Sequence, residues 1–519
     1  MLRWVVRLLD TIIVFYLCLS GYFYLFGGFD LHWPLHIYLT DMNKPIEILT
    51  AAIMARSLIF GIQYLAVERK RVFFLMAFIM SSLMAIAVGE VFLRIVYING
   101  GSKIYGAPGG RRFVRTYDHG LYRFPHVTGP KKPDITRIYI QGDSITYGNI
   151  REWTDLYPYL LLKKLNEKSI KYEMHVDSLH GREIDGHLAA LLRAVYKYKL
   201  DPDIIVYQWF ENDIELSKSN RPKKISRYIR KLPWSGWLNV NSYLFYFLNK
   251  RLNQILPWEG KGYIQYLTDE FDEKTVNWYR FRALFHEWAT YATEHDRRVI
   301  LMIYPALPFT GEDPLKTLHN NIKRICGRND FLIPAIALPH NTGMEIDDKS
   351  STFGKVMKAT ALDSTEGFLV FGPYIPLAGG RHTVTFRMKV SRLTKNHVAI
   401  IDAVYEKGNK ILATKEITGS DFTKAGAWKA FTISFNIHDE IMKNVEFRVH
   451  YLGGADLTVD EIEIPTNYGI ETLDLTPYLR GMDTTVSIFD PHPNEETYKI
   501  MANALYHKIV SRNFDSHYN

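Results

Sequence analysis

The sequence predicts an α/β protein: a parallel, doubly wound sheet interrupted by a β-sandwich and preceded by three transmembrane helices. Three observations predict it. Short apolar runs alternate with amphipathic helical stretches between about residues 135 and 304, the pattern of βαβ units whose sheet is covered on both faces. From about 345 to 466 the period changes to two, as in antiparallel strands. The first 98 residues hold three apolar stretches, each near the ~20 residues that cross a bilayer. The chain of 519 residues exceeds one ordinary domain. It divides into a membrane anchor (1–98), a first α/β part (99–344), an inserted β-sandwich (345–466) and a last α/β part (467–519).

The apolar stretches are about 4–26, 46–67 and 72–97. A cleaved signal peptide fits the first poorly, because its apolar part is long and no small-x-small site follows. Arg3 and Arg7 precede its core, and Arg69, Lys70 and Arg71 fill the link between the second and third. The link between the first and second has Lys44 as its only Lys or Arg. The positive-inside rule then gives three crossings of the cytoplasmic membrane, with the rest on the periplasmic or extracellular side. Asp10 follows Arg7 by three residues and Arg94 follows Glu90 by four, spacings that place each pair on one helix face. Arg56, midway in the second stretch, calls for a partner helix, a membrane partner or a lipid-linked substrate.

Strands are predicted at 135–141, 172–177, 204–209 and 299–304, with helices near 154–168, 185–199 and 274–295. Residues 215–273 are too long for a plain connection and carry Trp234, Trp237, Tyr243, Phe245, Tyr246 and Phe247. Such a stretch suits a bilayer surface, a lid or core packing. In the insert, Val384, Phe386, Met388 and Val390 alternate with polar residues, as do Phe431, Ile433, Phe435 and Ile437. Its size and pattern resemble carbohydrate-binding β-sandwich modules. A strand at 469–475 and a helix near 495–511 return to the α/β pattern.

Composition excludes several classes. Cys18 lies in an apolar stretch far from Cys326, so there is no disulfide framework and no zinc pattern. The net charge of +8 comes without a nucleic-acid module. Asp177, His180, Asp185 and His187 cluster in sequence but lack a metal-ligand spacing. No metal and no cofactor are expected.

The chemistry is carried by four blocks. An apolar run ends in Gly142-Asp143-Ser144, placing a serine where open α/β sheets do chemistry. His180-Gly181-Arg182 follows the next strand. Asn212 and Asp213 follow the strand 204–209, and Asp490-Pro491-His492 precedes the last helix. These blocks, in this order, resemble the SGNH superfamily of GDSL-type esterases and acetyltransferases, over roughly residues 130–340 and 467–515. Two departures stand out: Phe210 occupies a position that the family usually gives to glycine, and Asp490 is only two residues before His492.

The resemblance implies a flavodoxin-like parallel sheet and a fixed set of roles. Ser144 is the nucleophile, His492 the general base and Asp490 its orienting carboxylate. Ser144 N–H, Gly181 N–H and the Asn212 amide form the oxyanion hole. Asp143 is read as bonding the turn backbone and Asp213 as a cap on the segment that follows it. The expected function is a membrane-anchored esterase acting on O-acetyl groups of a surface or secreted polysaccharide. The alternatives are a polysaccharide O-acetyltransferase, served by a multispanning acyl-donating membrane partner, and a non-catalytic glycan-binding scaffold.

Overall fold

The computed structural model describes residues 2–26, 29–31, 37–39, 48–49, 51–57, 59, 71–101, 127, 129, 131–148, 153–167, 171–215, 234–245, 247–248, 263–306, 311–487 and 490–511. Two long N-terminal helices, α1 (Leu2–Phe26) and α2 (Arg71–Gly101), cover the first and third apolar stretches. Among the described residues, one helical segment has the length and apolarity to cross a membrane, Ala77–Arg94 within α2. Three such helices were expected. The second stretch, 46–67, falls partly outside the described residues. Arg56 and Asp10 form an ion pair at 2.8 Å, so the partner Arg56 called for is on α1. Arg94 pairs with Glu90 one turn away at 2.9 Å.

The α/β part is built on five parallel strands: β1 (Thr136–Gly142), β2 (Tyr172–Ser178), β3 (Ile204–Trp209), β4 (Arg298–Ile303) and, much later, β14 (Glu471–Asp474). Their spatial order is β2-β1-β3-β4-β14. The register sets Ile138 beside Ile204, Ile204 beside Arg298 and Ile300 beside Glu471. Alternate residues serve opposite faces, as strand geometry requires. Ile138, Ile140, Val206, Ile300 and Met302 pack with Leu161 of α4 (Tyr157–Leu165) and with Met501 and Leu505 of α8 (Glu495–Ser511). Tyr139, Ile205, Tyr207, Val299 and Leu301 pack on the other face. Their partners there are Leu188 of α5 (Ile184–Leu192), Phe285 and Trp288 of α6 (Val276–Ala292) and Ile322 of α7 (Lys316–Cys326). Burial on both faces explains why the strands read as continuous apolar runs.

The remaining large sheet is antiparallel, in keeping with a β-sandwich. Its strands are β5 (Arg328–Pro334), β6 (Met344–Asp347), β7 (Lys355–Ala359), β8 (Gly367–Val370), β9 (Pro373–Val390), β10 (His397–Tyr405), β11 (Lys410–Thr418), β12 (Lys429–Tyr451) and β13 (Leu457–Asn467). They run β11-β10-β12-β9-β13-β7-β6, with β8 on β12 and β5 on β13. The alternating residues predicted to face inward, Val384, Phe386, Met388, Phe431, Ile433 and Phe435 among them, form its core. The sheet begins at Arg328 rather than near 345. The chain goes in along β5 and comes out along β13, which pair from Glu461↔Pro334 to Asn467↔Arg328. Adjacent ends are what an insertion into a host domain needs.

Phe386 is wholly buried whereas Leu362 is 96% exposed. Phe386→Ala is expected to lower the urea stability of the sandwich by roughly 3–5 kcal/mol. Leu362→Ala should stay within ~0.5 kcal/mol of the parent. Equal effects of the two changes would contradict the packing described.

Candidate active site

Strand β1 ends in a turn that leads into a single helical turn, α3 (Ser144–Tyr147). Asp143 caps it, its Oδ1 accepting the Ile145 N–H at 2.9 Å. This is the turn-bonding role expected of it. Gly142 has no alternative: a Cβ there would lie 2.0 Å from Thr146 Oγ1 and 2.8 Å from Gln208 Oε1. Thr146 donates to Gln208 Oε1 of β3 at 2.9 Å. A threonine hydroxyl has one hydrogen, so Tyr157 of α4, also 2.9 Å away, donates to Thr146. Tyr498 of α8 donates to the Ile145 carbonyl at 2.9 Å. The turn is thus braced from a neighbouring strand and two helices. Ser144 stands half-buried on it, with Oγ 3.4 Å from Asp143 Oδ2.

Gly181 lies in the turn between β2 and α5 with φ of 62°, and a Cβ would meet nothing within 4 Å. Left-handed backbone, rather than crowding, is what favours glycine there. Asn212 sits in a 3-10 turn, Glu211–Ile214, directly after β3. Its Oδ1 is buried without a hydrogen-bond partner, so Nδ2 is the outer end of the amide. Asp213 accepts the Phe210 N–H at 3.1 Å and the Tyr207 hydroxyl at 3.0 Å, so it caps the turn it sits in rather than the segment that follows.

His492 lies on β16 (Asp490–Pro493), which forms a hairpin with β15 (Thr485–Ser487). β16 packs beside α3, and β15 touches α2. The His492 ring meets that of His180 edge-on, at 6.2 Å between centroids, and His180 in turn lies 4.2 Å from Tyr147 of α3. The structure therefore brings Ser144, Gly181, Asn212 and His492 to one edge of the sheet. Ser144 and Asn212 follow β1 and β3, where the strand order reverses and α/β sheets place ligands. Asp490 pairs through its backbone with Ser487; its side chain lies outside the described residues. The interleaving of His180 with Tyr147 and His492 had no sequence signal, because it joins loops distant in the chain.

The electrostatics below the turn are unusual. Asp143 is wholly buried. Burial, then the Asp213 carboxylate, pushes its carboxyl up to about 6, against the Ile145 N–H, His187 and His492. Burial also raises Asp213 and Glu211. His187, with Nε2 3.5 Å from Asp213 Oδ1, is pulled down to about 3 by burial and by Arg182, so it is neutral at physiological pH. Asp177 is bound by Arg182 at 2.5 Å and Arg193 at 3.1 Å. His180 and His187, its neighbours in sequence, turn instead to Tyr147 and His492 and to Asp213. Among the described residues, the group with metal-ligand proximity is Glu294, His295 and Glu440.

No protein-family model matches the chain, and no curated protein does. Solved structures that are similar include the C-terminal CBM6 of LamC, a laminarinase from Zobellia galactanivorans. It is 13% identical, spans 27% of this chain and all of its own, and has a TM-score of 0.21. A carbohydrate-binding module of Cellvibrio mixtus lichenase 5A is 12% identical over 26% of this chain and 96% of its own (TM-score 0.19). The CBM35 of Cellvibrio japonicus Abf62 is 12% identical over 27% and 94% (TM-score 0.20). Likeness at this level carries no argument about what the present chain binds.

The raised Asp143 carboxyl has a definite consequence. The fold holds this proton more tightly than the unfolded chain, whose aspartate titrates near 3.8. The group therefore costs nothing below about pH 4, and stability is lost as pH rises through about 6. Asp143→Asn, which can still accept from Ile145, is expected to stabilise the protein at pH 7.5 by on the order of 3 kcal/mol. The gain should disappear at pH 4. An unfolding midpoint that responds equally at both pH values would show that Asp143 is not strained.

Proposed function

We propose that this chain is a membrane-anchored serine esterase of the SGNH type, acting outside the cytoplasmic membrane on ester groups of a glycan. The observation that supports it best is the convergence of Ser144, Gly181, Asn212 and His492 at the switch point of a 2-1-3-4-5 parallel sheet. Ser144 attacks the ester carbonyl while His492 accepts its proton. The Ser144 and Gly181 N–H groups and Asn212 Nδ2 hold the oxyanion. The bond to the sugar oxygen breaks, His492 returns the proton to that oxygen, and an acyl-serine remains. Water, deprotonated by His492, then releases the acid and restores Ser144.

The anchor reading is supported by the bareness of α2. Phe78, Ile79, Met80, Leu83 and Met84 are exposed, and 6% of Ala77–Arg94 is buried. The aromatic segment is tied to this helix. Glu90 accepts the Ser242 hydroxyl at 2.9 Å and the Tyr243 and Leu244 N–H groups at 3.1 and 2.9 Å. Arg94 donates to the Asn241 carbonyl at 3.1 Å and lies over the Tyr243 ring. Trp234 and Trp237 stay exposed, as aromatic side chains do at a headgroup layer. We read the segment as resting on the membrane, with the hairpin of His492 close to it.

A serine-directed fluorophosphonate should label the protein, and Ser144→Ala should abolish labelling. His492→Ala should slow ester turnover by up to ~10⁶ and Asn212→Ala by ~10²–10³. Labelling that persists in Ser144→Ala would overturn the assignment. Mass spectrometry of reactions with a chromogenic acetyl ester and an oligosaccharide separates the routes. Free acetate supports hydrolysis, whereas acetylated oligosaccharide forming faster than acetate would indicate an acyltransferase.

Protease added to intact spheroplasts is expected to digest the chain beyond about residue 101, where α2 ends. Protection of that part would place the site inside the cell and remove the exterior reading.

A further inference from the structure

We propose that a pocket between α6 and the root of the sandwich is a binding site for an acidic sugar, separate from the Ser144 site. The pocket has a volume of about 540 Å³. Trp278, Tyr279 and Arg282 of α6 line it together with Asn329 of β5 and Glu461 and Glu463 of β13. The inference goes beyond the esterase reading and does not rest on it.

Arg282 carries the argument. It is 3% exposed, and Nη1 has no hydrogen-bond partner. Its other contacts are the Asp330 carbonyl at 3.5 Å, the Tyr468 hydroxyl and the Phe331 ring at 5.3 Å. None of these is an anion at neutral pH, and the exposed Asp330 carboxylate acts only from a distance. A buried cation without a close counter-charge is costly, and burial holds this guanidinium below its ordinary pKa.

A relay of hydrogen bonds ends beside Arg282. His286 Nε2 is 2.8 Å from the Pro376 carbonyl, so that nitrogen carries the hydrogen. Nδ1, 2.7 Å from the Tyr468 oxygen, must then accept the tyrosine hydrogen. The Tyr468 oxygen is left to accept from Arg282. Burial draws His286 down to about 4, so the imidazole is neutral and the relay runs in one direction. Tyr468 thus offers an acceptor on one side of the guanidinium, while Nη1 has no partner.

The opposite wall has the complementary character. Glu461 Oε2 is buried with no partner, and burial raises the carboxyls of both Glu461 and Glu463. At the rim, Arg324 and Glu273 neutralise each other. The pocket therefore offers a cation on the α6 side, acceptors for hydroxyl hydrogens on the β13 side, and Trp278 and Tyr279 as flat apolar wall. A uronate ring satisfies all three: a carboxylate for Arg282, hydroxyls for the glutamates and a ring face for the aromatics. A simple carboxylate lacks the hydroxyls, and a neutral sugar lacks the anion.

The test is calorimetric titration of the full-length protein in detergent with trigalacturonate, maltotriose and acetate. Trigalacturonate should bind, with maltotriose and acetate weaker by at least about tenfold. Arg282→Gln should lose at least about tenfold in affinity, while the thermal midpoint of the ligand-free protein holds or rises because a strained charge is gone. Should that variant fold poorly, Glu463→Gln on the half-buried wall should weaken binding severalfold. Ser144→Ala should bind like the parent, which separates this site from the esterase reading. Full affinity in both pocket variants, equal binding of maltotriose or acetate, or no saturable trigalacturonate binding overturns the proposal.

Discussion

The close approach at the end of β1 is the constraint on which the rest of the site depends. Gly142 leaves no space for a side chain against Thr146 and Gln208. A methyl group there would push α3 off the sheet and carry Ser144 with it. The same turn is gripped by Tyr498, which follows His492 closely in the chain. One hydrogen bond to the Ile145 carbonyl therefore ties the helix behind the proposed base to the turn of the proposed nucleophile. Thr146, with Tyr157 and Gln208, closes the grip from the other side. Precision at Ser144 comes from this bracing rather than from the serine's own long contact with Asp143.

Beneath the turn the protein accepts an electrostatic cost. Asp143 and Asp213 are both fully buried, and each carboxyl is raised. They are partly compensated by backbone N–H groups and the Tyr207 hydroxyl. A neutral His187 lies against Asp213 without relieving it through a full ion pair. Proteins concentrate this kind of penalty where geometry serves function. The cations of the neighbourhood, Arg182 and Arg193, are paired with Asp177, and Arg182 eases Asp213 only from a distance.

Much of this architecture was legible from residues alone. The strands of the parallel sheet lie within about two residues of their predicted limits, because apolar runs such as Ile204–Trp209 are buried on both faces. The alternation in Val384–Val390 and Phe431–Ile437 identified sandwich strands for the complementary reason, one face being core and the other solvent. Strand β5 was hidden: Arg328, Asn329 and Asp330 look like a polar loop, and only pairing with β13 makes them strand. Gly142, Ser144, Asn212 and His492 were visible because their blocks sit at strand ends. What sequence could not show were effects of distant neighbours. These include the burial of Asp143, the place of His180 between Tyr147 and His492, and the unused arm of Arg282. The membrane part was the least legible, since one of the three predicted spans stands out among the described residues.

The chain reaches β14 only after the whole sandwich, yet β14 must dock on β4, with Glu471 beside Ile300. A nascent chain emerging in order can therefore pair β1 to β4 early but not finish the sheet. The pairing of β5 with β13 closes that gap, because together they set the two ends of the host domain side by side. His492 arrives later still. A chain whose insert has not closed has its last strand and His492 away from their places beside β4 and α3. Until then the turn that carries Ser144 is without the Tyr498 hydrogen bond that braces it.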